Sequence, residues 1–162
     1  MVGDPGRIIT TNQIGPNPQW TTRYYEPNRV LNGAAFGGGT FVAVGVYGTI
    51  VRSDDAISWT RLPWPENTYF TAVAYGEGRF VAVGNNGTVA LSDDGGRTWQ
   101  KHLGFPDPGD FLLSATYDAR TKRFVVGALA GNVWRSDDRG SSWTRVKADP
   151  WSGNIQAIVS GQ

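Results

Sequence analysis

Apolar residues in this chain fall in short runs that alternate with polar or small residues. Phe70-Thr71-Ala72-Val73-Ala74-Tyr75 and Arg79-Phe80-Val81-Ala82-Val83 are typical. The runs are rich in β-branched and aromatic side chains and are bounded by Gly, Asn or Asp, the pattern of short strands joined by tight turns. No stretch carries an amphipathic helical period of useful length. Residues 70–103 read as four strands, at roughly 70–75, 79–84, 88–92 and 98–103. Asn85-Asn86-Gly87 between two of them is a strong hairpin turn, because Asn and Gly tolerate positive φ. Gly37-Gly38-Gly39 stands between a first and a second strand, with no helix following, so it reads as a hairpin and not as a phosphate-binding loop.

The four-strand unit recurs. Trp59, Trp99 and Trp143 are 40 and 44 residues apart, and Gly48, Gly87 and Gly131, each before a third strand, are 39 and 44 apart. A half copy precedes the three full ones: Gly6-Arg7-Ile8-Ile9-Thr10-Thr11 aligns with Gly48-Thr49-Ile50-Val51-Arg52-Ser53, and Trp20 with Trp59. A quarter copy follows, with Ile155 to Gly161 matching Phe70 to Gly76. A period of about 40 residues with four strands is a propeller blade. The chain therefore predicts an all-β propeller of about 3.75 blades. The expected parts are an outer half blade over 6–26, blades over 30–64, 69–105 and 111–148, and a single inner strand over 154–161. Open sheet edges are an aggregation hazard that a propeller hides by closing. The expectation is that a second copy of the chain completes the ring, a homodimer, with a fragment of a longer protein and a small self-closed ring as alternatives.

Composition narrows the chemistry. Gly makes up 22 of the 162 residues, about twice the usual roughly 7% share. A net charge of +1 gives no basic field for nucleic acid or anionic lipid. No apolar run approaches a membrane span. Zero Cys excludes thiol chemistry and disulfides, and one His excludes a multi-histidine metal site within one chain, so no cofactor or metal is expected. His102 reads as an exposed residue at the end of a fourth strand. The first residues, MVGDPGRIITTNQIG, carry no signal-peptide pattern.

The turn between third and fourth strands holds the clearest motif. Ser92-Asp93-Asp94-Gly95-Gly96-Arg97-Thr98-Trp99 fits S-x-D-x-G-x-T-W. This resembles the Asp box of bacterial-neuraminidase-type repeats, found in sialidases, sortilin-type receptors and photosystem II assembly-factor propellers. Ser136, Asp138, Gly140 and Trp143 keep the pattern with Ser142 in place of Thr, while Ser53, Asp55 and Trp59 form a box one residue shorter and without the Gly. Such a box is structural: the Asp accepts turn N–H bonds and the Trp covers the turn. A calcium site needs six to eight oxygens, and two carboxylates in a tight turn supply too few.

The resemblance to sialidases implies an arginine triad, a Tyr–Glu nucleophile pair and an Arg-Ile-Pro motif. Here Arg7-Ile8 is followed by Ile9, Arg52 and Arg135 are expected to flank the box turns, and Tyr24-Tyr25-Glu26 places its members side by side in sequence, which does not make a catalytic pair. The partner set is incomplete, and the expected function is a non-catalytic binding or structural module. The runner-up readings are a sialidase-like glycoside hydrolase fragment and an assembly chaperone of the photosystem II type. The candidate surface is the face opposite the boxes, where the links between blades repeat an aromatic, a proline and an acid. The candidate ligand-binding residues are Tyr25 and Glu26, Trp64 and Glu66, Phe105 and Asp107, and Asp149 and Trp151. Aromatic platforms there would suit a protein or carbohydrate partner. The alternative is that these aromatics plug the gaps between blades. A bacterial envelope, extracellular or phage setting is expected from the resemblance.

Overall fold

The computed structural model describes residues 1–13, 15–146 and 153–158. Among them are fifteen strands. The first three are β1 (Val2–Gly3), β2 (Arg7–Thr10) and β3 (Thr21–Tyr25). A second group is β4 (Leu31–Gly37), β5 (Thr40–Gly45), β6 (Thr49–Ser53) and β7 (Thr60–Leu62). A third is β8 (Phe70–Gly76), β9 (Arg79–Gly84), β10 (Val89–Ser92) and β11 (Gln100–Lys101). The last is β12 (Leu112–Asp118), β13 (Arg123–Ala128), β14 (Val133–Ser136) and β15 (Thr144–Val146). Each group is one antiparallel meander, so the chain forms one three-stranded and three four-stranded sheets. At four strands to a blade this is an all-β propeller arc of about 3.75 blades.

The turns follow from residues that accept positive φ. Asn86 and Gly87 have φ of 54° and 57°, and Tyr47 and Gly48 have 56° and 65°. Two successive positive φ values give the hairpin turn whose twist matches its flanking strands. Gly38 and Gly39 do the same between β4 and β5.

Apolar layers fill the spaces between successive sheets. Ile8 meets Leu31, Ala43 and Val51; Val42, Val44 and Ile50 meet Phe70, Phe80 and Ala82; Val81, Val83 and Val89 meet Phe124, Val126 and Trp134. Phe70, Phe80 and Phe124 are among the largest fully buried side chains, each worth about 1.5–3 kcal/mol relative to exposure. The inner strands β4, β8 and β12 lie side by side. Each has a bulge near its start, at Leu31/Gly33, Phe70/Ala72 and Leu112/Ser114. Side chains at these irregularities stitch one blade to the next. Asn32 donates to the Phe70 carbonyl at 2.7 Å, Thr71 to the Leu112 carbonyl at 2.7 Å, and Ser114 to the Ile155 carbonyl at 3.0 Å.

Both ends differ from the sequence reading. The first sheet has a third strand, β1, because Val2 and Gly3 pair with Ile8 and Arg7; two residues are too few to show alternation. The quarter copy does occupy the place after β12, but residues 154–158 form no strand ladder, since a strand is defined by a partner. Positions 159–161 of that expected strand lie outside the described residues.

Candidate functional site

The Ser-Asp-Trp turns are built as local scaffolds. Asp94 Oδ1 accepts the backbone N–H groups of Arg97 and Thr98, both at 2.9 Å, and Oδ2 accepts the Thr98 hydroxyl at 2.6 Å. Ser92 Oγ donates to Asp94 and accepts the Gly96 N–H, while the Trp99 indole donates to the Gly96 carbonyl at 3.0 Å. Asp138 repeats this with Ser136, Ser142 and the Trp143–Gly140 bond. Asp55 repeats it with Ser53, Ile57 and Ser58, and Trp59 bonds Ala56. Burial opposes ionisation of Asp94, but the bonds from Thr98, Ser92 and Arg97 outweigh it and hold the carboxyl down at about 2. The Ser58 and Ile57 N–H groups hold Asp55 at about 2. The acceptor capacity of these carboxylates is thus taken up by their own turns. Arg52 and Arg79 tie the Asp94 and Asp138 turns to the preceding blade, through the Gly95 and Arg139 carbonyls at 2.8 and 2.9 Å. Arg52 therefore flanks the turns, as expected.

On the opposite face, the links pack down onto the hairpin glycines. A Cβ on Gly6, Gly48 or Gly87 would lie 2.1, 2.4 or 2.5 Å from the carbonyl oxygen of Glu26, Glu66 or Asp107. The three acids thus occupy equivalent places, and their backbones need the glycines. Their side chains are engaged as well. Glu66 pairs with Lys101 at 2.7 Å and Glu26 with Arg61 at 3.1 Å, each an outer-strand cation meeting the link before it. Glu26 also pairs with Arg29 at 2.7 Å. Asp107 caps the Gly109 N–H at 3.1 Å. None of the three is a free carboxylate on the surface.

The aromatics divide. Phe105 is 8% exposed and packs on Trp134 and Trp143 at 4.8 and 5.9 Å. It plugs the gap between the last two blades and is no surface platform. Trp64 is half-buried, edge-on to Phe70 at 5.3 Å, with its indole bonded to Thr68 at 2.9 Å. Its outer side walls a broad hollow of about 680 Å³ with Arg61, Leu62, Pro63 and Pro65. Tyr25 is exposed beneath the Arg7 guanidinium. Asp149 and Trp151 lie outside the described residues. Tyr24 donates to Glu26, so these sequence neighbours do meet. Burial and that carboxylate push the phenol pKa up, opposite to what activates a nucleophile.

Three aromatics absent from the sequence reading, Tyr47, Tyr69 and Phe111, complete the face. Gly48 lies under Trp64, and its N–H donates to the Thr68 carbonyl at 2.7 Å. Tyr47 and Tyr69, their chain neighbours, are therefore drawn to the same place and are 56% and 44% exposed. Tyr69 continues to Phe111, ring to ring at 6.0 Å. Arg29 stacks over Tyr47 and donates to its carbonyl. The face thus carries Tyr47 and Trp64 on either side of Gly48 in the chain fold, and a Tyr69–Phe111 ring pair. Neither tyrosine sits in a Pro-containing link motif; the signal was a bulky aromatic at a turn tip or strand entry, where Asn86 and Val30 hold corresponding places. His102 is half-buried rather than exposed, with Nε2 lacking a partner. Among the described residues no three His, Asp or Glu side chains group closely enough to hold a metal. No helix is long and apolar enough to cross a membrane.

The sheet meander and its repeat agree with one family profile. The DUF6242 beta-propeller domain matches residues 6–158. The chain belongs to this family. No curated protein matches it significantly. Solved structures share the DUF6242 chain's fold at low identity. YCF48 from Cyanidioschyzon merolae superposes with a TM-score of 0.58 at 20% identity, covering 72% of this chain and 37% of its own. YCF48 bound to a D1 peptide gives 0.58 at 18%, over 71% and 40%. An ancestral GH74 enzyme gives 0.66 at 17%, over 80% and 20%. The chain spans two fifths or less of each of these.

Proposed function

We propose that this DUF6242 domain is a non-catalytic binding module that docks an extended protein segment on its link face. The observation that carries this is the set of aromatics that face presents: Trp64 in the Pro63-Trp64-Pro65 hollow, the exposed Tyr47, and Tyr69 against Phe111. Exposed aromatics on rigid, proline-braced loops anchor partners at low ordering cost. The link acids do not compete for that role, because Arg61, Arg29 and Lys101 hold Glu26 and Glu66. A propeller of the same fold, YCF48, has been solved with a D1 peptide, which supports a peptide partner over a glycan. The Ser-Asp-Trp turns are read as Asp boxes of the bacterial-neuraminidase type, and they act as scaffold. A second copy of the chain completes the ring.

A peptide array tests the docking face. The domain should retain a subset of peptides, and the Tyr47→Ala/Tyr69→Ala double variant should bind them at least about tenfold more weakly, as loss of one anchor cluster implies. Equal binding by both proteins, or turnover of a fluorogenic glycoside panel, contradicts the reading.

A further inference from the structure

Gly45 and Gly84 end the second strands β5 and β9. Neither has room for a side chain. A Cβ would lie 1.9 Å from the Val30 carbonyl oxygen in the first case and 2.4 Å from the Tyr69 carbonyl oxygen in the second. Each of those residues leads into the inner strand of the same blade. Gly3 ends β1 in the corresponding way, opposite Arg7 as Gly45 is opposite Thr49. Yet a Cβ on Gly3 would meet nothing within 4 Å. Among the described residues no carbonyl lies against Gly3 as Val30 and Tyr69 lie against Gly45 and Gly84; in β13 the same place is held by Ala128. β1 lies beside β4 as β5 lies beside β8 and β9 beside β12, so its open edge faces the position of an inner strand.

The other end of the chain carries the complementary part. The Ile155 carbonyl receives Ser114, the residue after its bulge, where the Phe70 and Leu112 carbonyls receive the bulge residues Asn32 and Thr71. Ile155 also donates to the Ala128 carbonyl at 3.0 Å, and its side chain rests on Gly127. Asn154–Ile158 thus lies at the place of an inner strand and, among the described residues, has no second strand paired to it. Seated on β12 and β13, it leaves its own chain's Gly3 open, so its own β1 is not its partner.

We propose that Asn154–Ile158 of one copy adds to the β1 edge of a second copy, with Asn154 supplying the carbonyl for Gly3. This rests on the reading that a second copy completes the ring, and it adds the register. Leu31 and Gly33 face Gly45 and Val44; Phe70, Ala72 and Val73 face Gly84, Val83 and Ala82. The same geometry sets Ile155 opposite Gly3, Ala157 opposite Val2 and Ile158 opposite Met1, with Gln156 in the bulge. The faces that meet mix apolar and charged side chains. Met1, Val2 and Ile9 line a hollow of about 110 Å³ on the first sheet together with Asp4 and Arg7. On the last sheet Val125 and Val133 alternate with buried Phe124, Val126 and Trp134, and so point away from the preceding blade. The contact is head-to-tail, and two copies close it into a ring of about eight blades.

The chain has no cysteine, which makes cross-linking clean. The Val2→Cys/Ala157→Cys variant should oxidise to a covalent dimer, while Val2→Cys/Gln156→Cys gives only a trace. In parallel, Gly3→Val fills the place of the Asn154 carbonyl without touching its own chain and should give a folded monomer with an unchanged far-ultraviolet spectrum. A covalent monomer, no cross-link, equal cross-linking by the two pairs, or a Gly3→Val protein that dimerises like the parent overturns this junction. If the parent is dimeric in that last case, the second copy stands and only the register falls.

Discussion

Single residues in the Ser-Asp-Trp turns act through hydrogen bonds to the ionised carboxylate, and this gives them a pH signature. Asp94 has an ordinary value near 3.8 that the fold lowers to about 2. A lowered value means the folded state prefers the charged form. The stability this contributes is fully present above pH 4 and is lost as pH falls through 3.8 toward 2. Asp55 acts in the same direction. Thermal midpoints measured from pH 7 to pH 2 should hold steady and then drop below pH 4, and Asp94→Asn should start lower at pH 7 and fall less steeply; identical slopes would mean the carboxylate is not what the turn uses. Gly96 is a second single-residue test. Its φ is +79°, and a Cβ there would sit 2.7 Å from the Val42 side chain of the preceding blade. Gly96→Ala should cost about 1–3 kcal/mol, read as a lower unfolding midpoint.

At the scale of strands and links, buried and exposed aromatics should separate cleanly. Phe105→Ala opens a hole against Trp134 and Trp143 and should cost about 3–5 kcal/mol, a midpoint drop of order 10 °C. Tyr69→Ala removes a largely exposed ring and should change stability by about 1 kcal/mol or less while weakening partner binding. If calorimetry gave both the same drop, Tyr69 would belong to the core. Trp64 and Phe105 hold corresponding places in the sequence repeat, and the structure sets both over hairpin glycines, at Gly48 and Gly87. The repeat was legible because strand alternation and paired turn glycines are local features. What the repeat did not carry is how deep each ring lies. Trp64 keeps one side on a hollow, whereas Phe105 has Trp134 closing over it. The link acids were found by composition, but Arg61 and Lys101, 35 residues away, neutralise Glu26 and Glu66. Pairing over that distance has no local signal. Tyr47 and Tyr69 were missed for the same reason: the bond that joins their neighbours, Gly48 to Thr68, spans 20 residues.

Over the whole molecule the DUF6242 chain is an arc of about 3.75 blades whose two ends are the parts the proposed junction joins. Its first sheet has three strands, and its last described segment lies at an inner-strand place without forming a ladder. Incomplete closure was visible in the sequence as fractional repeats. The two-residue β1 was not, and it narrows the proposed junction to a single strand, which Asn154–Ile158 of a second copy would add. Closing between copies would bring two link faces, each with its own aromatics, onto one ring. The most direct measurement is the solution mass by light scattering after size exclusion. A single species at twice the 17.6 kDa chain mass is the predicted result, and a 17.6 kDa monomer at the same protein concentration would contradict it.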